Sequence, residues 1–278
     1  MESIVLELPA RCQLSATVRQ NDARGVPPRY THRGVAPAMA RTMSIEWAKK
    51  EADPRELPTY TISEAAHYLR IPRSTLHSWV AGQAYRTRAG SRLFRPVIAL
   101  PDKRLGLLSF INLVEAHVLD AIRREHEVPL QKVRKALNYL AERLSSHHPL
   151  AEQRFETDGV DLFIRHYGDL VNISQSGQLA MRKIVEAYLR RVEWDATGVV
   201  ARLYPFTRKR TPDEPKVVVI DPRISFGRPV LAGSGIPTAV IAERYKAGES
   251  IDQLADDYGR ERLAIEEAIR CELEERAA

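Results

Sequence analysis

The chain has few cysteines and no long apolar run. Its 278 residues include 2 cysteines, Cys12 and Cys271, which lie near opposite ends. This arrangement fits neither a disulfide framework nor a cysteine-based metal site, and it indicates a reducing compartment. No apolar run approaches the roughly 20 residues that a membrane-spanning helix requires. The first residues also lack the regions of a secretory signal peptide. We therefore expect a cytoplasmic protein that has no membrane partner.

The sequence also lacks the motifs of common enzymes. Residues 150–215 contain no phosphate-binding loop, no nucleophile elbow and no metal-ligand spacing. Gly233-Ser234-Gly235 precedes a predicted helix without the lysine and the full glycine spacing of a phosphate loop, which favours a tight turn. His147 and His148 are adjacent, and adjacent residues on a helix do not face each other, so we assign them to a loop. We expect no catalytic residue, no metal and no cofactor.

Positive charge is in excess. The chain has 42 Lys and Arg against 36 Asp and Glu, a net charge of +6 and a pI of about 9.4. This balance favours nucleic acid or another polyanion as a partner. The length suits about two domains. The segments that we predict are a flexible tail (1–57), a DNA-binding domain (58–148), a central α+β module (149–206), a linker (207–216) and a C-terminal partner-binding domain (217–278).

Residues 60–80 predict two short helices joined by a tight turn. Thr61 and Glu64 have the spacing of a capping box, which defines the start of the first helix. Pro72 lies at or beside the first position of the second helix, where its missing N–H costs little. The second helix would present small polar and basic side chains that suit contacts to DNA: Arg73, Ser74, Thr75, His77 and Ser78. The alternative is an ordinary helical hairpin with a solvated polar face.

An arginine-rich segment follows the two helices. Residues 84–110 carry six basic side chains, opposed only by Asp102. Ala89-Gly90-Ser91 predicts a turn between two short strands. A basic hairpin directly after a two-helix reader is typical of a wing that grips the DNA backbone. Arginine suits that role because its planar fork binds two phosphate oxygens. The candidate wing contacts are Arg86, Arg88 and Arg92.

These motifs resemble the MerR-like winged helix-turn-helix family over about residues 58–144. Thr61 to Ala66 and Ser74 to Trp79 resemble its reader, and Leu130 to Leu137 resembles its closing helix. The resemblance implies operator DNA as a partner. One short reader helix contacts few base pairs, so we expect a homodimer that binds two half-sites. Helices at 109–126 and 129–144 carry apolar stripes that are either core or a dimer seam.

The central module and the linker have weaker signals. Asp158-Gly159 predicts a turn in a small meander, and a helix is expected from Leu179 to Trp194. The predicted strands run from Arg154 to Thr157, from Val160 to His166 and from Leu170 to Ser174. Thr207 to Pro215 is basic and contains proline, which suits an exposed, flexible linker. Fragments cut near residue 210 are then expected to act independently.

Residues 217–271 predict a short strand, a glycine-rich turn and three helices with a helix-turn-helix outline. Thr238 is placed to cap the first helix, and Ser250 with Gln253 has capping-box spacing for the second. Acidic side chains outnumber basic ones on these helices. Because acidic helices repel phosphate, this surface is expected to meet a protein.

This C-terminal pattern resembles a short domain of unknown function that occurs in antitoxins of the VapB type. The matching positions include Pro222, Gly227, Pro229, Ile236 and Pro237. The resemblance implies an antitoxin that represses its own operon and neutralises a PIN-like ribonuclease with a carboxylate-bound Mg²⁺. The candidate partner contacts are Arg223, Phe226, Arg228, Ile236 and Tyr258.

Two questions remain open at this stage. Arg223 and Arg228 either approach the carboxylates of a toxin or only solvate their own turn. The whole chain is either an antitoxin or a MerR-like transcription regulator without a toxin. In both cases the fold class that we expect is mainly α with small β elements: a winged helix-turn-helix domain, a central α+β module and a C-terminal three-helix domain.

Overall fold

The computed structural model describes residues 53–87, 90–124, 130–211 and 213–273. The predicted tail lies outside these residues as far as position 52. The last part of the predicted tail is not free, because Arg55 makes two contacts with the rest of the chain. The Arg55 guanidinium donates to Asp195 at 2.6 Å, and the Arg55 carbonyl oxygen accepts from the backbone N–H of Ile111 at 3.2 Å. These contacts join Arg55 to a strand connection and to a central helix. Among the described residues, no helix is both long and apolar enough to cross a membrane.

The first half of the described chain contains the reader, the wing and two long helices. Its elements are α1 (Ile62–Leu69), α2 (Arg73–Ala81), β1 (Gln83–Thr87), β2 (Gly90–Phe94), α3 (Phe110–Arg124) and α4 (Leu130–Leu144). The predicted capping box is present, since Thr61 Oγ1 accepts from the Glu64 N–H and the Glu64 carboxylate accepts from the Thr61 N–H. The predicted turn between α1 and α2 is made by Arg70, which adopts left-handed backbone angles.

The second half is also mainly helical. It contains a 3₁₀ turn (Pro149–Ala151), a π-helical turn (Phe155–Gly159), α5 (Val160–Val171), α6 (Gln175–Leu189), β3 (Val192–Trp194) and β4 (Val200–Leu203). The C-terminal part contains β5 (Val218–Val219), a 3₁₀ turn (Ser225–Gly227), β6 (Val230–Leu231), α7 (Thr238–Lys246), α8 (Ile251–Tyr258) and α9 (Arg262–Glu272). Three two-stranded antiparallel sheets, β1–β2, β3–β4 and β5–β6, accompany the helices in the described residues. The mainly helical fold class is confirmed.

The predicted meander in the central module is wrong. Residues 154–174 form the π-helical turn and α5, and the strands of this region are β3 and β4 instead. Gly159 is not a hairpin turn. A Cβ there would come within 2.8 Å of the Phe155 ring and 3.4 Å of Leu140, so glycine allows two helical segments to pack closely. The predicted helix at 179–194 exists, but it starts at Gln175 and ends at Leu189.

The apolar stripes of α3 and α4 are core. Every residue from Phe110 to Ile122 is buried, and α3 packs against α6 and α1. α4 packs against α5 through a side that includes Val133, Leu137 and Leu140. Of the two readings left open by the sequence, core and dimer seam, the structure therefore supports core for both stripes.

The segment 207–216 is not an exposed linker. Thr207 is 2% exposed and Glu214 is 6% exposed. The Glu214 carboxylate accepts from the backbone N–H groups of Thr207, Arg208 and Thr211 at 2.9–3.0 Å, which closes the segment into a loop. A basic, proline-bearing composition therefore marks a loop with its own hydrogen bonds. Of its described residues, Arg208, Lys209, Thr211, Asp213 and Lys216 are exposed, as predicted for a linker.

Arg191 fixes this loop to the end of α6. Its guanidinium is 1% exposed and donates to four carbonyl oxygens. The acceptors are Tyr204 (2.7 Å), Glu214 (2.9 Å), Pro205 (3.1 Å) and Pro215 (3.2 Å). Burial lowers the pKa of Arg191, and the nearby Glu214 opposes that effect. A single buried cation therefore joins both ends of the loop to the central module.

The C-terminal helices have their own core. It contains Leu231, Ile241, Leu254, Ile265 and Ile269, and the Ser250–Gln253 capping box that starts α8 is present as predicted. Thr238 does not cap α7. The N-cap is Pro237, and the Thr238 hydroxyl lies within hydrogen-bonding distance of the Pro229 carbonyl oxygen and the Glu272 carboxylate.

The C-terminal helices are not independent of the reader, contrary to our expectation. The described residues all belong to one compact unit. The Tyr60 hydroxyl donates to the Gly227 carbonyl oxygen at 2.9 Å, and Arg228 forms an ion pair with Glu64. The strand region also continues across the boundary, since Leu203 and Ile220 exchange backbone hydrogen bonds of 3.0 and 2.8 Å.

Candidate DNA-binding and partner-binding surfaces

The reader helix α2 presents the predicted polar face. Arg73, Ser74 and His77 are exposed, and Thr75 and Ser78 are half-buried. Within the described residues the Arg73 side chain makes no hydrogen bond or ion pair, so its guanidinium is available to a ligand. Ser78 differs, because its hydroxyl donates to the Thr75 carbonyl oxygen at 2.7 Å. All five residues belong to one helix, and Arg73, Ser74 and His77 are the best placed to contact DNA.

Buried contacts hold α2 in place. Leu76, Trp79 and Val80 are almost completely buried. The Arg123 guanidinium lies 5.9 Å from the Trp79 ring centroid, in the range of a cation–π contact. Such packing fixes the helix without using its outward face, which is what a reader helix requires.

The wing is a two-stranded antiparallel hairpin, as predicted. Its register runs from Gln83 opposite Phe94 to Thr87 opposite Gly90, so Gly90 and Ser91 of the predicted turn belong to β2. Arg86 is registered with Ser91, and Arg92 with Tyr85. Arg88 lies outside the described residues. The chain after the wing returns to the reader, where Val97 and Ile98 donate to the Trp79 carbonyl oxygen at 2.8 and 3.1 Å.

A protruding turn carries two of the predicted partner contacts. Phe226 is 90% exposed, and Arg223 is also exposed. Ser225, Phe226 and Gly227 have consecutive φ angles of 47°, 54° and 74°. Left-handed angles are costly for residues with a Cβ, so the surrounding structure must impose them. An aromatic ring in this exposed position is a candidate anchor for a protein partner.

The other three predicted partner contacts have roles within the chain. Arg228 pairs with Glu64 and lies 3.4 Å from the Tyr68 hydroxyl. Burial acts to raise the pKa of Glu64, but the Thr61 backbone and Arg228 outweigh that effect and lower it. Ile236 and Tyr258 pack against the C-terminal core. The structure thus brings Arg223 and Phe226 together but does not bring Ile236 and Tyr258 to their turn.

Sequence reasoning missed a basic cleft between α1, the 207–211 loop and α9. Arg70, Arg208, Lys209 and Arg270 line it. The local signal for it is the run of basic residues at 208–210, a composition that is also typical of a linker. The separation of the three segments along the chain concealed the rest.

The histidines and cysteine of the described residues form no metal site. No group of three or more His, Cys, Asp or Glu side chains that could hold a metal is present in that part of the chain. Cys271 is a buried free thiol, and Cys12 lies outside the described residues. His117 is a core residue, with its Nε2 3.1 Å from the Tyr188 carbonyl oxygen. His148 does lie in a loop, and its Nδ1 is 3.0 Å from Glu115, which raises its pKa.

Comparison with known protein families agrees with this geometry. Residues 58–137 match the family described as "Putative DNA-binding HTH domain". Residues 218–270 match the family described as "Protein of unknown function (DUF433)". The reader, the wing and the first match define the class of the protein, a helix-turn-helix protein.

Similar proteins from Mycobacterium tuberculosis define the family more closely. The chain is 34% identical over 222 residues to the protein named "Putative antitoxin VapB45", covering 73% of this chain and 89% of that one. It is 23% identical over 223 residues to "Uncharacterized protein Rv2308", covering 76% of this chain and 88% of that one. The crystal structure of Rv2018 has a TM-score of 0.56 and 27% identity, and the match covers 77% of this chain and 98% of that one. The chain belongs to the same family as the protein named "Putative antitoxin VapB45".

Proposed function

We propose that this protein is the antitoxin of a type II toxin–antitoxin pair in the cytoplasm. It neutralises a PIN-like ribonuclease, and it binds operator DNA through a MerR-like winged helix-turn-helix to repress its own operon. Both activities are binding reactions and require no catalytic residue. The kinship with VapB45 supports the antitoxin role, and the helix-turn-helix match supports the DNA-binding role.

One observation carries the proposal: an exposed polar face of α2 and an exposed aromatic turn lie on the same compact unit. Arg73 on α2 and Phe226 on the Ser225–Gly227 turn are both exposed. Tyr60 and Glu64, which flank the start of α1, contact Gly227 and Arg228 of that turn. A toxin bound at Phe226 is therefore positioned to affect the reader, which couples neutralisation to repression.

The exposed turn suits the surface of a ribonuclease with clustered carboxylates. Phe226 offers a large apolar ring that enters a pocket, and Arg223 places a guanidinium three residues away in the sequence. An arginine fork binds carboxylates well and competes with Mg²⁺ for them. Arg228 is already paired with Glu64, so we assign the toxin contact to Arg223.

We also propose that the protein binds its operator as a homodimer. Two readers are needed because one short helix contacts few base pairs, and two-fold symmetry then sets the half-site spacing. The seam is not formed by the apolar stripes of α3 and α4, which are buried within one chain. Analytical ultracentrifugation with operator DNA tests this point. A monomer that binds with full affinity would contradict it.

Co-expression with the product of the neighbouring gene tests the central proposal. The full chain is expected to relieve the growth arrest that the neighbouring protein causes, and the Phe226→Asp variant is expected to fail. The full chain and its Phe226→Asp variant should both retain operator binding in a fluorescence anisotropy assay. If the neighbouring protein is harmless and does not bind the chain, the protein is a MerR-like regulator without a toxin.

A further inference from the structure

The C-terminal helices carry a second exposed apolar side chain besides the Phe226 ring. Leu263 is 40% exposed, and it is the second residue of α9, directly after the turn that joins α8 to α9. A glycine-rich turn, Gly233-Ser234-Gly235, lies between this position and the Phe226 turn in space. An exposed leucine and an exposed phenylalanine on either side of one turn define a surface that the fold itself does not cover.

Short contacts make this surface continuous. Ile224 belongs to the same loop as Phe226, and its Cγ2 lies 3.8 Å from the position that a Cβ on Gly235 would take. At the other end of the glycine turn, the Gly233 carbonyl oxygen lies 3.5 Å from Nη2 of Arg260, which is in the α8–α9 turn. We call this surface the Phe226–Leu263 face, and its residues are Ile224, Phe226, Gly233, Gly235, Arg260 and Leu263.

Arg260 differs from the other arginines of the C-terminal helices. Arg244, Arg262 and Arg270 each form ion pairs with carboxylates of the chain. Arg260 forms no ion pair with any residue that the structure describes, and its Nε is buried without a hydrogen-bond partner. The 3.5 Å contact with Gly233 is too long for a good N–H···O hydrogen bond. The guanidinium therefore calls for an acceptor that the chain does not supply.

The middle of the face is low and open. Gly233 is exposed, and no heavy atom lies within 4 Å of the position that its Cβ would take. Gly233 and Gly235 have φ angles of 71° and 70°, which favour glycine at both positions. A partner can therefore approach the backbone closely between Phe226 and Leu263. Such an open surface suits a protein better than a small molecule, which prefers a concave site.

Position and charge both favour the partner of the proposed function as the occupant. The face begins at the aromatic ring that we assign to that partner. Its one charged residue is Arg260, and the exposed Glu261 beside it forms no ion pair with it in the described part of the chain. A ribonuclease with clustered carboxylates offers the acceptors that an arginine fork binds best.

We propose that the footprint of the partner extends from the Phe226 turn, across the glycine turn, to Arg260 and Leu263. Leu263 is a second apolar anchor, and Arg260 binds a carboxylate of the partner. This inference rests on the proposed function and adds a second contact region to it. The reader contacts the opposite end of α9, where Arg70 donates to the Arg270 carbonyl oxygen at 2.8 Å, so an occupied face leaves α2 exposed.

Calorimetric titration of the full chain with the product of the neighbouring gene tests the proposal. Arg260→Met keeps an apolar side chain and removes the charge, and Leu263→Ala removes the second anchor. We expect each variant to bind about tenfold more weakly than the native chain. The matched controls are Arg165→Met and Leu179→Ala, which alter exposed residues of α5 and α6 and should change the affinity by less than about twofold.

Further measurements separate binding from folding. Arg260→Met and Leu263→Ala should keep the native urea midpoint and the native affinity for operator DNA, because neither side chain contacts the reader. A variant that combines Phe226→Ala with Leu263→Ala should lose the product of the two single losses, since the two anchors lie at opposite ends of the face.

The possible failures are distinguishable. If Arg260→Met or Leu263→Ala binds within twofold of the native chain while Phe226→Ala binds more weakly, the extended footprint is wrong and the proposed function stands. If the native chain does not bind the neighbouring product at all, both are wrong. If the two variants lose self-association in sedimentation velocity and keep their affinity for the product, the face belongs to an interface between two copies of the chain, which also overturns the proposal.

Discussion

Tyr60 and Gly227 join the reader to the C-terminal helices through one buried hydrogen bond. The Tyr60 hydroxyl is fully buried and donates to the Gly227 carbonyl oxygen at 2.9 Å. Burial raises the pKa of this hydroxyl, so it remains a donor at every physiological pH. Gly227 has a φ of 74°, and a Cβ at this position would clash with the same hydroxyl oxygen. Only glycine fits beside the ring.

Removal of that hydroxyl should destabilise the protein. In Tyr60→Phe the Gly227 carbonyl loses its donor in a buried site, which should cost roughly 1–3 kcal/mol of the free energy of unfolding. Urea denaturation followed by circular dichroism measures the change. The control is Tyr245→Phe, because the Tyr245 side chain is exposed and its hydroxyl makes no hydrogen bond within the described residues. Equal midpoints for both variants would contradict a structural role for the contact.

Arg191 and its neighbour Arg190 should behave very differently when replaced by methionine. Arg191→Met leaves four buried or half-buried carbonyl oxygens without this donor. We expect a loss of at least about 3 kcal/mol of the free energy of unfolding. Arg190→Met removes an exposed side chain and should change it by less than about 0.5 kcal/mol. Chemical denaturation measures the free energy of unfolding of both variants. A small effect of Arg191→Met would contradict the prediction and show that water replaces the guanidinium.

The reader and the wing should respond differently to truncation of an arginine. Arg73→Ala should weaken binding to the operator by roughly 1–3 kcal/mol if the side chain reads a base, and should relax specificity. Arg86→Ala should weaken binding to all sequences alike and reduce the salt slope by about 1. Fluorescence anisotropy against salt measures both. Arg165→Ala, on the exposed side of α5, is the control, and equal affinities for all three variants would place the DNA surface elsewhere.

Phe226 should matter for partner binding and not for folding. Because its ring is 90% exposed, Phe226→Ala removes little packing within the chain. At the centre of an interface, however, loss of an aromatic anchor costs about 2 kcal/mol or more. Calorimetric titration with the neighbouring gene product measures this loss. Leu179→Ala, which truncates another exposed apolar side chain on α6, should leave the affinity unchanged. Equal effects of the two variants on the affinity would show that the Phe226 turn is not part of the interface.

His117 should make the protein less stable in acid. Burial lowers the pKa of His117 to about 3, from an ordinary value of 6.5. Between these pH values His117 binds a proton in the unfolded chain but not in the folded chain, so the free energy of unfolding falls as the pH decreases. At pH 4.5 the penalty relative to neutral pH is roughly 2–3 kcal/mol. His117→Gln should show a shallower loss between pH 7 and 4.5 in urea denaturation, and an unchanged pH dependence would contradict the assignment.

Local signals in the sequence predicted much of the structure. The capping boxes at Thr61 and Ser250 place the starts of α1 and α8 correctly, because each depends on residues only three positions apart. The basic hairpin after α2 also has a local signal, because its turn and its two strands follow one another directly in the sequence. The helical stripe of α4 was also visible in its spacing.

Glycine caused the largest error in the central module. Asp158-Gly159 predicts a turn, yet Gly159 lies in a helical segment, and so does Gly168. A Cβ at Gly168 would collide with the Gln178 side chain of α6. These glycines serve close packing between helices, and that need depends on partners that the local sequence does not reveal. The spacing of Val160, Phe163, Ile164 and Tyr167 already carried the helical signal.

Long-range pairs were beyond the reach of the sequence. Phe226 and Arg223 could be selected as a surface turn, but the pairing of Arg228 with Glu64 joins residues that are 164 positions apart. No local pattern predicts such a contact. The basic cleft was missed for the same reason, since its cations come from three separate segments.

The contacts of Tyr60 and Glu64 with the Phe226 turn limit how this architecture can be recombined. A hybrid made by grafting a foreign reader onto these C-terminal helices would lose both contacts unless the graft also carries the tyrosine and the glutamate. The two regions that match separate families are therefore expected to evolve together. Among relatives, the residues at positions 60 and 64 should change in step with those at 227 and 228.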